Sequence, residues 1–379
     1  MNLMHTHSSS SSSPLFFLLL TCIFFSRSSA TQHESANDEP IIESCDKKSP
    51  VSAILVFGDS TVDSGNNNYI KTLFKSDFPP YGQDFEGHVP TGRFCNGRLP
   101  TDFIASYVGV KDNVPPYLDP SLGIDELMSG VTFASAGSGY DPLTPTIDHV
   151  IDLPTQLEYF REYKRRIEEK LGEERMQKHV EEALYVVSAG TNDFVITYFS
   201  LPLRRKTFIV EGYEQFIIYH LKNFIQGLCE EGARKIAVAG LPPMGCLPEV
   251  ITAFSGNAVA DRRCIDRFSA VGRDYNFLLQ RELKLMQMAL SHLGYKIFYI
   301  DIFTPLSDMV HNHARYGFEE VDTGCCGTGY VELGPLCNPK SYVCPNVSRY
   351  VFFDSIHPTE KTYYYVFRAV QSVVDMIVN

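Results

Sequence analysis

Short β-type runs recur along the chain: AILVF at 53–57, VTFAS at 131–135, LYVVS at 184–188, KIAVA at 235–239 and KIFYI at 296–300. Each is too short for a helix and reads as a strand, and AILVF, unbroken in its apolarity, reads as one buried on both faces. Within a few residues of each of the last four comes Gly, Pro or Asp. Longer stretches of helical period lie around 155–171, 211–231, 264–292 and 359–377, the last opening beside Pro358 and Thr359, a helix-start pair. This alternation predicts an α/β fold with a parallel sheet covered by helices on both faces. No internal repeat or shift in composition divides residues 51–379, which are expected to form a single domain.

The amino-terminal end has another character. A serine run, an apolar run LFFLLLTCIFF at 15–25 and small residues ending at Ala30 make residues 1–30 a secretory signal pattern. The apolar run is too short to span a bilayer, and no later segment approaches ~18 uninterrupted apolar residues. Residues 31–50 are polar and aperiodic and read as a linker. The expectation is a soluble, secreted protein without a transmembrane segment.

Charge and cysteine content narrow the class. Without residues 1–30 the chain carries 32 basic and 45 acidic residues, a formal charge of −13, which argues against nucleic acid as a partner. Nine cysteines remain after Cys22 is set aside: 45, 95, 229, 246, 264, 325, 326, 337 and 344. In an oxidising compartment most should pair, with the odd count leaving at least one over. Cys246 and Cys264 bracket one loop, and the Gly/Pro-rich stretch from Cys325 to Cys344 is expected to hold two local bridges. Zinc is the competing reading there, but the spacing is poor for a finger. The Asn346-Val347-Ser348 sequon marks a surface loop and a glycosylation candidate.

Three polar clusters follow three strands. Ser60 lies just past the first, Gly137 and Gly139 past the second, and SAGTND, with Gly190 and Asn192, past the third. In a parallel sheet all three share one edge, where open α/β sheets bind ligands. A hydroxyl, closely approaching backbone amides and a side-chain amide are the parts of an acyl-transfer site. A base is supplied by FFDSIHPTE near the end of the chain, where Asp354 precedes His357 by three residues. His357 would deprotonate Ser60, and Asp354 would fix its tautomer. Each signal has a structural alternative: a cap for Ser60, turns for the glycines and TND, a helix cap for D-x-x-H. Four of them, three at strand ends and one beside a closing helix, favour a common site. The order Ser, Asp, His also occurs in α/β-hydrolases, but their G-x-S-x-G elbow is absent here.

The blocks VFGDSTVDSGNNN, FASAGSGYD, SAGTNDF, GLPPMGCLP, CCGTG and YVFFDSIHPTE resemble those of the plant GDSL-type esterase/lipases of the SGNH hydrolase superfamily. They run in order from about residue 51 to 379, and GRLPTDFIASYVGVKDNVPPYLDP is similar to the extracellular lipase branch. The resemblance implies a flavodoxin-like three-layer α/β/α sandwich with a central, mainly parallel five-stranded sheet. It also implies hydrolysis of acyl esters through an acyl-enzyme with no cofactor, no metal and no obligate protein partner. It assigns Ser60, Asp354 and His357 as the catalytic triad, and Gly137, Asn192 and the Ser60 amide as the oxyanion hole. Asp59 becomes a loop brace. The family's Leu is Thr61 here, and Thr132 replaces a common asparagine, read as a change in packing.

Other features take plainer readings. His311 and His313 lack an acid-rich ligand set before Glu319 and read as a solvated face. GLPPMGCLP is a stiff loop beside the cleft that either lines an acyl pocket or braces the fold. CCGTG lacks the Lys-Ser/Thr of a phosphate loop. YFREYKRRIEEKLGEER reads as a solvated helix face. An acyltransferase using the same acyl-enzyme, or a non-catalytic lipid- or glycan-binding module, remains the alternative to ester hydrolysis.

Overall fold

Residues 49–379 are described by a computed structural model; the signal-like segment 1–30, residues 31–48 of the linker, and Cys45 lie outside the described residues. Strands β1 (Ile54–Gly58), β2 (Leu184–Ser188), β3 (Lys235–Ala239) and β4 (Lys296–Ile300) pair in that order, all parallel. Ile54 stands opposite Leu184, Leu184 opposite Lys235, and Lys235 opposite Lys296. Every residue of β1 is buried, as its unbroken apolar run requires of a strand covered on both faces.

The run at 131–135 departs from a regular strand. It lies along the free edge of β1, where Val56 N donates to Val131 O (3.1 Å), Phe133 N to Val56 O (2.7 Å) and Ser135 N to Gly58 O (3.0 Å). Its outer carbonyls find side-chain partners: Asn66 Nδ2 donates to Thr132 O (2.9 Å) and Ala134 O (2.8 Å). The loop after β1 therefore folds back over this edge and stands where a further strand would lie. Thr132 takes part through its hydroxyl, which donates to Val62 O at 2.9 Å, a specific polar link where a packing change was expected. Counting this segment, the order in chain numbering is 2-1-3-4-5, the flavodoxin-like arrangement, whose switch point falls between β1 and β2.

Helices cover both faces, giving three layers. Leu55, Phe57, Tyr185, Val187, Ile236 and Val238 pack against α2 (Leu153–Leu171), α3 (Val210–Glu230) and α4 (Asp266–Leu290). The opposite face, with Ile54, Val56, Leu184, Val186, Ala237 and Ala239, meets α1 (Pro100–Tyr107) and α5 (Glu360–Val378). The four long helices begin and end within two residues of the bounds read from periodicity. Asp152 caps α2 by accepting from Thr155 N, and Thr359 caps α5 by accepting from Thr362 N.

A small parallel pair, β5 (Glu320–Gly324) with β6 (Tyr350–Phe352), lies outside the main sheet and was not anticipated from the sequence. It is pinned by the cysteine cluster: Cys325 bonds Cys344 and Cys326 bonds Cys337, while Cys246 bonds Cys264. The cluster is thus disulfide-bonded, with no zinc role left to it. Cys95 and Cys229 have no partner among the described residues.

Candidate active site

Gly58 ends β1 with φ 139°, and a Cβ there would overlap the Ser188 carbonyl at the end of β2. Only glycine lets the two strand exits approach this closely. The chain then turns on Asp59. Its N–H donates to Ser188 O (2.9 Å), its carboxylate accepts from Thr61 N (3.0 Å) and Thr61 Oγ1 (2.8 Å), and its carbonyl accepts from Val62 N (3.2 Å) and Asp63 N (3.0 Å). Burial pushes the Asp59 carboxyl up to about 6. Asp59 therefore braces the turn that presents Ser60 at the switch point.

Asp354 and His357, the acid and base expected from the sequence, come from the loop after β6. Phe353 N donates to His357 O (2.7 Å), folding the loop onto itself. Asp354 accepts from the N–H groups of Ile356 (2.9 Å) and His357 (2.7 Å), and its Oδ2 lies 2.8 Å from His357 Nδ1. His357 Nε2 lies 2.8 Å from Ser60 Oγ. With Asp354 accepting at Nδ1, the imidazole proton sits there and Nε2 faces Ser60 with its lone pair. Asp354 and His357 are both buried, and the Phe94 ring packs 5.0 Å from the imidazole, holding its plane. Asp301, the rival carboxylate on sequence grounds, instead accepts from Thr304 N (3.0 Å).

Two further groups reach this line that sequence spacing did not reveal. The Tyr81 hydroxyl donates to Asp354 Oδ2 (2.8 Å) and accepts from Gly334 N (3.0 Å). Burial and the neighbouring Asp354 carboxylate raise its ionisation well above the ordinary tyrosine range, so it remains a donor. Glu249 donates its backbone N–H to Ser355 O (2.9 Å), while its Oε2 is buried without a hydrogen bond. Burial and Asp354 push its carboxyl up to about 7. The only local signal was an acid inside the GLPPMGCLPEV stretch.

The amide donors are positioned by buried carboxylates. Asp63 accepts from Gly65 N (2.8 Å), Asn66 N (2.7 Å) and Ala136 N (2.9 Å), tying the loop after β1 to the segment before Gly137. Asp193 accepts from Tyr140 N (2.8 Å) and Asp141 N (3.1 Å), and a Cβ on Gly139 would overlap its carboxylate. Burial raises Asp63 to about 6 and Asp193 to about 7. Asn192 Nδ2 donates one proton to Ser138 O (2.9 Å), which places its amide beside the Gly137–Gly139 turn. Among the described residues the N–H groups of Ser60 and Gly137 donate to no protein acceptor. After Asn192 the chain continues as a π-helical segment, Asp193–Ser200.

His311 and His313 each direct Nδ1 to a backbone carbonyl, Ser307 O (2.7 Å) and Phe318 O (2.9 Å). Among the described residues no group of three or more His, Cys, Asp or Glu side chains is placed to hold a metal, and no helix is long and apolar enough to cross a membrane. Asn346 is exposed, and its Oδ1 accepts from Ser348 N and Oγ.

A hydroxyl, an imidazole and a carboxylate in hydrogen-bonded line define a site of the hydrolase type. The sequence matches the GDSL-like Lipase/Acylhydrolase family over residues 54–370. GDSL esterase/lipase At5g45960 of Arabidopsis thaliana is 66% identical over 351 residues, covering 93% of this chain and 92% of its own length. GDSL esterase/lipase At1g06990 of the same plant is 48% identical over 82% of this chain and 86% of its own length. GDSL esterase/lipase APG is 44% identical over 82% of this chain and 87% of its own length. The chain belongs to the GDSL esterase/lipase family and is a carboxylic ester hydrolase.

Proposed function

We propose that the protein is a secreted serine hydrolase that cleaves acyl esters through a Ser60 acyl-enzyme. Ser60 Oγ attacks the ester carbonyl as its proton passes to His357 Nε2, and Asp354 stabilises the imidazolium. The carbonyl oxygen, now an oxyanion, is taken up by the N–H groups of Ser60 and Gly137 and by the second amide proton of Asn192. Collapse expels the alkoxide, which takes the proton from His357 and leaves as the alcohol. Water then attacks the acyl-enzyme with His357 again as base, releasing the acid and restoring Ser60. No step calls for a cofactor.

The hydrogen-bonded line from Ser60 Oγ through His357 to Asp354 carries this reading. Secretion is supported by the three disulfides, which persist in oxidising compartments. The exposure of Asn346 within its sequon suits a glycan acceptor. Ser60→Ala tests the nucleophile: the variant should fold as the parent does and lose covalent labelling by a fluorophosphonate probe. Labelling that survives the substitution would move the nucleophile to another residue.

A further inference from the structure

Tyr81 stands in a turn of the long loop after β1, where Gly82 N donates to Cys95 O (2.9 Å) and Gln83 N to Pro80 O (3.3 Å). Phe78, Phe94 and Phe353 meet its ring edge to face, with centroids 6.0, 5.6 and 5.4 Å away, and the side chain is 1% exposed. Its hydroxyl cannot turn freely. The Gly334 N–H occupies one side of the oxygen (3.0 Å), which commits the phenolic proton to Asp354 Oδ2 (2.8 Å). Gly334 lies in the loop closed by the Cys326–Cys337 bridge, so a third part of the chain sets that direction.

Asp354 divides its acceptor capacity. Oδ1 takes the backbone N–H groups of Ile356 and His357, while Oδ2 lies 2.8 Å from both His357 Nδ1 and the Tyr81 hydroxyl. Among the described residues no lysine or arginine pairs with this carboxylate, and its side-chain donors are His357 and Tyr81. Two donors on one oxygen compete, because a bond to the phenol stabilises the carboxylate and weakens its pull on the imidazolium. A phenol does this without bringing a second charge beside the imidazole. Packing alone asks only for the ring and leaves the buried, twice-bonded hydroxyl unexplained.

We propose that Tyr81 is a positioning residue for the reaction: by sharing Asp354 with His357, its hydroxyl fixes the carboxylate and keeps the imidazole neutral, and so able to accept the Ser60 proton, into mildly acidic medium. The inference rests on the reading of Ser60, His357 and Asp354 given above. Other titratable groups face the dyad: Asp59 from the turn after β1, Glu249 from the segment after β3, Cys95 from the loop that holds Tyr81, and Tyr363 from α5. Burial keeps the Cys95 thiol and the Tyr363 phenol un-ionised, while Asp59 and Glu249 titrate between acid and neutral pH. All four are the same in the parent and in a variant at position 81, so a difference between the two pH profiles reads the hydroxyl.

The experiment follows kcat/KM of the full chain for nitrophenyl acetate across pH 5 to pH 9. Tyr81→Phe keeps the ring and removes the donor, which strengthens the hold of Asp354 on the imidazolium. The acidic limb should therefore move up by roughly 0.5–1 pH unit, a roughly three- to tenfold loss below the limb beyond any change in the plateau. Difluorotyrosine at position 81, a stronger donor that burial still keeps protonated, should move the limb to lower pH. This arm decides the matter if Tyr81→Phe does not fold. Limbs that coincide with the parent's in both variants, whatever happens to Tm, would make Tyr81 a packing residue and overturn the proposal, as would a limb that moves down in Tyr81→Phe. A parent that neither cleaves nitrophenyl acetate nor takes a fluorophosphonate would overturn the Ser60 reading itself.

Discussion

One amide proton of Asn192 is held by the Ser138 carbonyl, which fixes the direction of the other. In the proposed mechanism a donor pre-aimed in this way acts on charge that develops only in the transition state. Asn192→Ala should therefore lower kcat by about 10²–10³-fold with a smaller effect on KM. Steady-state kinetics under rate-limiting acylation would check this. Glu249 gives a second residue-scale expectation. Its carboxyl is raised from 4.5 to about 7 by burial, so between those values the folded protein keeps a proton that the unfolded chain releases. That contribution to stability is present below pH 4.5 and is lost as pH rises toward 7. Glu249→Gln, neutral throughout, should gain stability over the parent between pH 5 and pH 8, by up to about 3 kcal/mol, measured by denaturant titration at each pH. Ser60, Asn192, Asp354 and His357 were legible as candidates because each stands at a strand exit or within one short loop. Tyr81 was not, since it bonds Asp354 across 273 residues of sequence and carries no local mark.

Among the elements, β3 shows how one strand meets two different layers. Its alternate residues Ile236 and Val238 pack beneath α3 and α4, whereas the smaller Ala237 and Ala239 are buried against the layer of α1 and α5. Ala237→Val adds two methyl groups to a face that is already packed and should destabilise the protein by about 1–3 kcal/mol, seen as a lower Tm. Calorimetry on parent and variant would check this. The long helices could be read from the sequence because their apolar period is sustained and Asp152 and Thr359 mark their starts. The 131–135 segment could be read as extended but not as irregular. Its partner on the outer side is the Asn66 side chain rather than a strand, a tertiary choice that no local pattern records. EVDTG and YVF, forming β5 and β6, are too short and too polar to stand out as a pair.

At the scale of the molecule, the loop bearing Asp354 and His357 is held from outside the main sheet. Cys325 N donates to Phe352 O (3.1 Å) and Cys326 N to Phe353 O (2.9 Å), so the disulfide-linked segment is hydrogen-bonded to the strand that delivers the dyad. The Cys326–Cys337 bridge closes a loop of separation 11. Replacing both cysteines by serine should cost about 3 kcal/mol of stability and lower kcat as the dyad loses its support. Urea titration and turnover of a short ester would measure the two, and an unchanged midpoint would separate this bridge from the site.

Ser60 and His357 are 297 residues apart, one near the start of the described chain and the other just ahead of its final helix. In the proposed mechanism, a polypeptide not yet extended through His357 has a nucleophile with nothing to activate it. On that reading the chemistry begins only after residue 357 has been made and α5 has docked. An ester met earlier would be spared, and the onset of turnover would become a timestamp for the docking of α5.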